Sequence, residues 1–120
     1  MTGKTVLVVD DSGLALMLMR NLLSELFPEW DILEAKNPNE ALKIAKESPP
    51  HLAFIDFHMP GMNGLELSQL LRERQPELPI HFITANLQDQ LRDEIAGRGF
   101  GFIKKPITRE KLTSIMREHI

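Results

Sequence analysis

Five side chains with the makings of a reaction are spread along this chain: Asp10, Asp11, Asp56, Thr84 and Lys105. Each stands at or just past the end of an apolar run. Three carboxylates brought together repel one another and require a counter-charge. With no cysteine in the sequence, an all-oxygen site suits a hard cation, and few protein ligands with open positions favour Mg²⁺ over Ca²⁺. Such an ion commonly shares its shell with phosphate oxygens. A carboxylate attacking phosphorus needs that screening, because nucleophile and phosphate are both anionic. Asp56 stands alone at its strand end and is the best nucleophile, its product an acyl phosphate. The Lys105 ammonium and the Thr84 hydroxyl are suited to contact two other phosphoryl oxygens.

These residues can meet only if the chain folds to bring the run ends together. Thr5–Val9 (TVLVV) is β-branched and continuous, as a strand buried on both faces must be. Asp31–Ala35, His51–Ile55, Pro79–Thr84 and the short Phe102-Ile103 read as four further strands. Between them lie segments of helical period. The first places Ala15, Leu18, Met19, Leu22 and Leu26 on one stripe, with Pro28 just beyond its end. The second has Asn37 or Asn39 as its cap, Pro38 in its first turn, and Ala41, Leu42 and Ala45 as its apolar face. The third follows the turn-rich Met59–Gly64 and faces Leu67, Leu70 and Leu71 inward. The fourth lies near Leu87–Ala96, and the fifth is capped by Thr108 and carries Leu112, Ile115 and Met116.

Strands alternating with helices through short connections imply an α/β fold, a doubly wound five-stranded parallel sheet covered on both faces. We take the flavodoxin-like (βα)5 order 2-1-3-4-5. In that order strands one and three are neighbours where the sheet reverses direction, and ligands bind outside the carboxyl ends of the strands there. Asp10, Asp11 and Asp56 then converge.

Composition agrees with one globular domain spanning residues 1–120: 42% hydrophobic and 26% charged residues are ordinary values. The net charge of −3 argues against direct nucleic-acid binding. The longest apolar run, Gly13 to Met19, is too short to span a bilayer. No signal peptide is expected, and we read the chain as cytoplasmic.

The segments Val9-Asp10-Asp11-Ser12, Asp56-x-x-Met59-Pro60-x-Met62-x-Gly64, Thr84-Ala85 and Lys105-Pro106 together resemble the receiver domain of two-component response regulators, in order and spacing, over essentially the whole chain. The resemblance implies a phosphorelay signal receiver and not an enzyme with a separate substrate. In it Asp56 is the phospho-acceptor. Asp11, Asp56 and the backbone carbonyl of His58 ligate Mg²⁺, with Asp10 acting partly through water. Lys105 contacts the phosphoryl group, and Thr84 and Phe102 form a switch pair. It also implies a cis peptide before Pro106. The phosphoryl donor is a sensor histidine kinase or histidine phosphotransfer protein, and the surface of the fourth helix, fifth strand and fifth helix carries output or dimerisation. The downstream output protein or domain is not identified by the sequence.

Plainer readings stand beside these. Asp10-Asp11 alone suits a helix N-terminus, Lys104-Lys105 a solvated pair, Thr84 a strand, and Phe102 the core. Lys105 is chosen over Lys104 because it directly precedes the proline. His51, His81 and His119 have no partner spacing. The turn Gly97-Arg98-Gly99-Phe100-Gly101 departs from the commoner family sequence, and Leu16 and Met17 stand where receivers often place arginine. Leu16 and Met17 lie off the first-helix stripe, so with Leu14 they are a candidate apolar docking patch for the phospho-histidine partner. Two rival functions are a Mg²⁺-dependent phosphohydrolase with an aspartyl-phosphate intermediate and a phosphorylation-independent interaction module. The first lacks the Asp-x-Asp spacing after strand one. The full set of five site residues counts against the second.

Overall fold

The computed structural model describes residues 3–85 and 88–120. The chain alternates β1 (Thr5–Val9), α1 (Gly13–Leu26), β2 (Asp31–Ala35), α2 (Pro38–Glu47), β3 (Leu52–Asp56), α3 (Gly64–Arg74), β4 (Ile80–Thr84), α4 (Asp89–Gly97), β5 (Gly101–Lys104) and α5 (Arg109–Arg117). The sheet is parallel throughout, in the order β2-β1-β3-β4-β5. The expected start of the fourth helix, Leu87, lies outside the described residues. No helix among the described residues is long and apolar enough to cross a membrane.

Strand alternation divides the core in two. Leu7, Val9, Ala53, Ile55, Ile80 and Phe82 face α2, α3 and α4, where they meet Ala41, Ala45, Leu67, Leu71 and Ile95. Val6, Val8, Leu52, Phe54, Ile83 and Ile103 face α1 and α5 and pack on Leu16, Met19, Leu23, Leu112 and Met116. Because both faces are covered, the strands carry continuous apolar runs. Side-chain caps start four of the helices: Ser12 accepts from Ala15 N, Asn37 from Glu40 N, Asn63 from Glu66 N and Thr108 from Lys111 N. The second cap is thus Asn37, with Asn39 inside the helix.

The first helix is rotated from its expected setting. Its core stripe is Leu16, Met19 and Leu23, continued by buried Phe27, while Ala15, Leu22 and Leu26 are only half-buried. Leu16 is 4% exposed and Leu18 54%. The difference amounts to one residue, roughly 100° about the helix axis. Leu14–Met19 is apolar on every side, so two neighbouring stripes fit the same letters, and packing against the sheet selects one. Leu16 is therefore core and leaves the predicted docking patch. The exposed large apolar residues of α1 are Leu14, Met17 and Leu18.

The predicted third and fourth strands begin one residue early: His51 precedes β3, its N–H donating to Thr5 O at 2.8 Å and its Nδ1 accepting from Thr5 N at 3.0 Å.

Candidate functional site

Two strand ends meet where the sheet reverses. Buried Asp10 follows β1, exposed Asp11 comes next, and buried Asp56 closes β3. A carboxylate oxygen from each lies within 4.8 Å of the others, a spacing that one small cation can bridge. Asp10 is held by its own chain, with Oδ1 accepting from Ser12 N at 2.9 Å. Burial pushes the Asp10 carboxyl up to about 6, against the Ser12 N–H that holds it down. The charges of Asp56 and Asp11 add to the rise and Lys105 opposes it. The pocket thus holds more negative charge than its surroundings balance, which fits a divalent ion held by Asp10, Asp11 and Asp56.

Lys105 supplies part of the counter-charge: its Nζ stands 3.8 Å from Asp56 Oδ1. Its backbone N–H donates to Thr84 O at 2.9 Å, fixing the β5 exit against β4, and the Lys105–Pro106 peptide is cis. Lys104 is exposed, and its carbonyl accepts from Lys111 Nζ at 2.9 Å. On the other flank the His58 N–H reaches toward Asp56 Oδ1 at 3.3 Å, while the His58 ring is exposed and lies edge-on to Phe57. Gly64 opens α3 directly behind Asp56. A Cβ there would sit 3.0 Å from both Asp56 O and Phe57 Cα, so glycine allows the helix to start this close to β3.

Thr84 is buried at the end of β4. By alternation it shares the face of Phe82, whose ring is 6.4 Å from that of Phe102. Phe102 is half-buried against that core, beneath the Arg92 guanidinium at 5.9 Å. Both members of the expected switch pair therefore lie on the α4 side of the sheet.

A model of the response regulator receiver domain matches residues 6–117. The chain belongs to the response regulator receiver family. Among its relatives are the probable transcriptional regulatory protein TcrX of Mycobacterium tuberculosis, 31% identical over 94% of this chain and 48% of TcrX, and the transcriptional regulatory protein YvrH of Bacillus subtilis, 31% identical over all of this chain and half of YvrH. The receiver chain spans about half of the length of these curated relatives. Its backbone superposes on that of the Vibrio cholerae chemotaxis protein CheY4 with a TM-score of 0.88, at 24% identity and 98% coverage of both chains, a likeness of fold.

Some of this receiver's structure was invisible in the sequence. Arg72, at the end of α3, donates through Nε to Leu78 O and through its two terminal nitrogens to Arg98 O and Gly99 O, with its guanidinium 4.1 Å from the Phe100 ring centre. It thereby fastens the unusual Gly97–Gly101 turn from 26 residues away. His81 and His119, expected to be unrelated, meet with their Nε2 atoms 3.0 Å apart.

Proposed function

We propose that this receiver accepts a phosphoryl group on Asp56 and passes the event to its α4-β5-α5 surface, residues 1–120 acting as one signalling domain. The supporting observation is the placing of Asp56: buried at the centre of the reversal point, with Lys105 Nζ 3.8 Å from its carboxylate and two further acids within 4.8 Å. The donor is the phospho-histidine of a sensor kinase or phosphotransfer protein, or a small phospho-donor. The P–N bond breaks as a carboxylate oxygen of Asp56 bonds to phosphorus, and the departing imidazole keeps its electron pair and takes up a proton. Asp11, Asp56 and the His58 carbonyl would hold Mg²⁺, with Asp10 acting through water. When bound, the ion screens the incoming phosphate. Lys105 neutralises another phosphoryl oxygen and the Thr84 hydroxyl hydrogen-bonds a third.

Thr84 drawn toward the phosphoryl group leaves room for Phe102 to turn inward, so that phosphorylation biases a two-state surface offered to an output partner or a second copy. No separate substrate is turned over, and the chain works in the cytoplasm. Docking of the histidine partner falls to α1, where Leu14, Met17 and Leu18 are exposed and Leu18 lines an apolar groove of about 500 Å³. That groove runs from Leu22 to Lys105, Pro106 and Ile107, beside Asp10. The patch keeps Leu14 and Met17 from the sequence reading and exchanges Leu16 for Leu18.

Labelling by a small phospho-donor with Mg²⁺ tests the assignment. Asp56→Asn is expected to take up no acid-labile phosphate while keeping the fold by circular dichroism. Labelling at the parent level in that variant would refute Asp56 as acceptor.

A further inference from the structure

At the opposite end of the sheet, β4 places His81 on the α1/α5 face, in line with Phe54 and within a layer that is otherwise apolar. The seat is built for an imidazole. His81 pairs in register with Gly101 of β5, and a Cβ at 101 would lie 2.1 Å from His81 Nδ1. Only a residue without a side chain leaves room for the ring. The ring's other nitrogen points at the last turn of the chain, where His119 presents its own Nε2 at 3.0 Å and Glu118 brings a carboxylate oxygen within 4.8 Å of both. His81 is buried, His119 half-buried and Glu118 exposed, so the cluster opens to solvent on one side.

We propose that His81, His119 and Glu118 form a second cation site, for a borderline-soft divalent ion of the Zn²⁺ class, distinct from the carboxylate pocket. Two imidazoles and one carboxylate are a donor set that Mg²⁺ avoids and Zn²⁺, Cu²⁺ or Ni²⁺ accept. Two nitrogens on one tetrahedral Zn²⁺ at about 2.0–2.1 Å stand roughly 3.3 Å apart, so the observed pair must open by a few tenths of an ångström and both rings must tilt from their nearly head-on contact, in which the ring centres are 5.2 Å apart. Glu118, being exposed, is free to swing in, and the fourth position is left to water. Bound there, the ion ties the end of α5 to the amino end of β4.

The same geometry limits the affinity. His81 Nδ1 has no hydrogen-bond partner. In the metal-free protein the favoured tautomer therefore carries the His81 proton on Nε2, donates it to His119 Nε2, and leaves Nδ1 a bare acceptor. Coordination through Nε2 moves that proton to Nδ1, where no acceptor meets it, whereas zinc-binding histidines ordinarily donate their second N–H. The Lys4 ammonium, which donates to His119 O at 3.0 Å, adds repulsion. These two costs weaken the site about tenfold to a hundredfold relative to a supported one, into a micromolar range.

Calorimetric titration of the untagged chain with Zn²⁺, in a non-chelating buffer containing Mg²⁺, decides it. The parent should bind one ion at this site. Asp11→Ala should keep that affinity within about twofold, whereas His119→Ala should weaken it at least tenfold and abolish the visible absorption bands of the Co²⁺-loaded protein. Circular dichroism checks that His119→Ala is folded. Should it unfold, Glu118→Gln replaces it, with an expected loss of about threefold or more. Zn²⁺ binding unchanged in the folded histidine variant, binding lost in Asp11→Ala instead, or no binding by the parent would each overturn the site.

Discussion

The two ends of this sheet solve opposite electrostatic problems. At the carboxyl ends of the strands, three acids crowd together with Lys105 as a partial counter-charge, and burial pushes the Asp10 carboxyl up to about 6. At the amino ends a buried imidazole rests against another, and burial together with the neighbouring His119 pushes His81 down to about 4. Burial raises an acid and lowers a base, because in both cases the neutral form is favoured. One end is thus prepared to gain a cation and the other to refuse a proton, and their contributions to stability run against each other with pH.

The sharpest way to break this comparison is to remove one end at a time in metal-free buffer with chelator. His81 has a folded pKa below its unfolded value of 6.5, so its contribution is present above about 6.5 and lost as pH falls toward 4. Asp10 has a folded pKa above its ordinary 3.8, so its contribution is present below about 3.8 and lost as pH rises toward 6. Each amounts to at most about 3 kcal/mol, and over this shared window they offset. Urea unfolding of His81→Leu between pH 4 and 6.5 should show stability falling more steeply with rising pH than in the parent. Asp10→Asn should show it rising more steeply. Parallel curves for all three proteins would mean that neither end governs the pH response.

A smaller effect tests the seat of His81 alone. Gly101→Ala places a Cβ against the ring and should cost about 2 kcal/mol of unfolding free energy, within the range of overpacked cores. The loss should shrink in the His81→Ala background, because the two sites are coupled. Smaller again is the effect on the acidic end: Asp11→Ala should weaken Mg²⁺ binding by calorimetry at least tenfold, about 1.4 kcal/mol, without loss of stability. Equal Mg²⁺ affinity in the parent and Asp11→Ala would remove Asp11 as a ligand.

The two ends also differ in how much of them the sequence disclosed. The acidic end was legible because strand runs such as Thr5–Val9 are continuous and end in a polar residue. Once the strand order is set, topology alone brings Asp10, Asp11 and Asp56 together, as found. The histidine end was not. His81 and His119 are 38 residues apart, on a strand and just past a helix, and no local period links them. Gly101 read as the end of a turn when it is the socket for the His81 ring. The setting of α1 failed for another reason. Rotation of a helix is read from its polar side, and Leu14–Met19 has none, so the burial of Leu16 over Leu18 came from packing with the sheet and α5. The cap Thr108, and Asn37 as one of two candidates, were legible because a cap is a local bond, between a side chain and an N–H three residues on.

Arg72 gives the molecule a fixed post. Its hydrogen bonds to Leu78, Arg98 and Gly99 join the end of α3, the approach to β4 and the turn after α4 into one braced corner. A planar guanidinium holding three carbonyls in different directions resists rotation in a way a lysine does not. Mechanically, α4 is a lever clamped at its C-terminal end. A displacement that keeps these bonds must swing its N-terminal end, the one nearer Thr84, which turns a small pull at the strand end into a change of tilt across the whole exposed face.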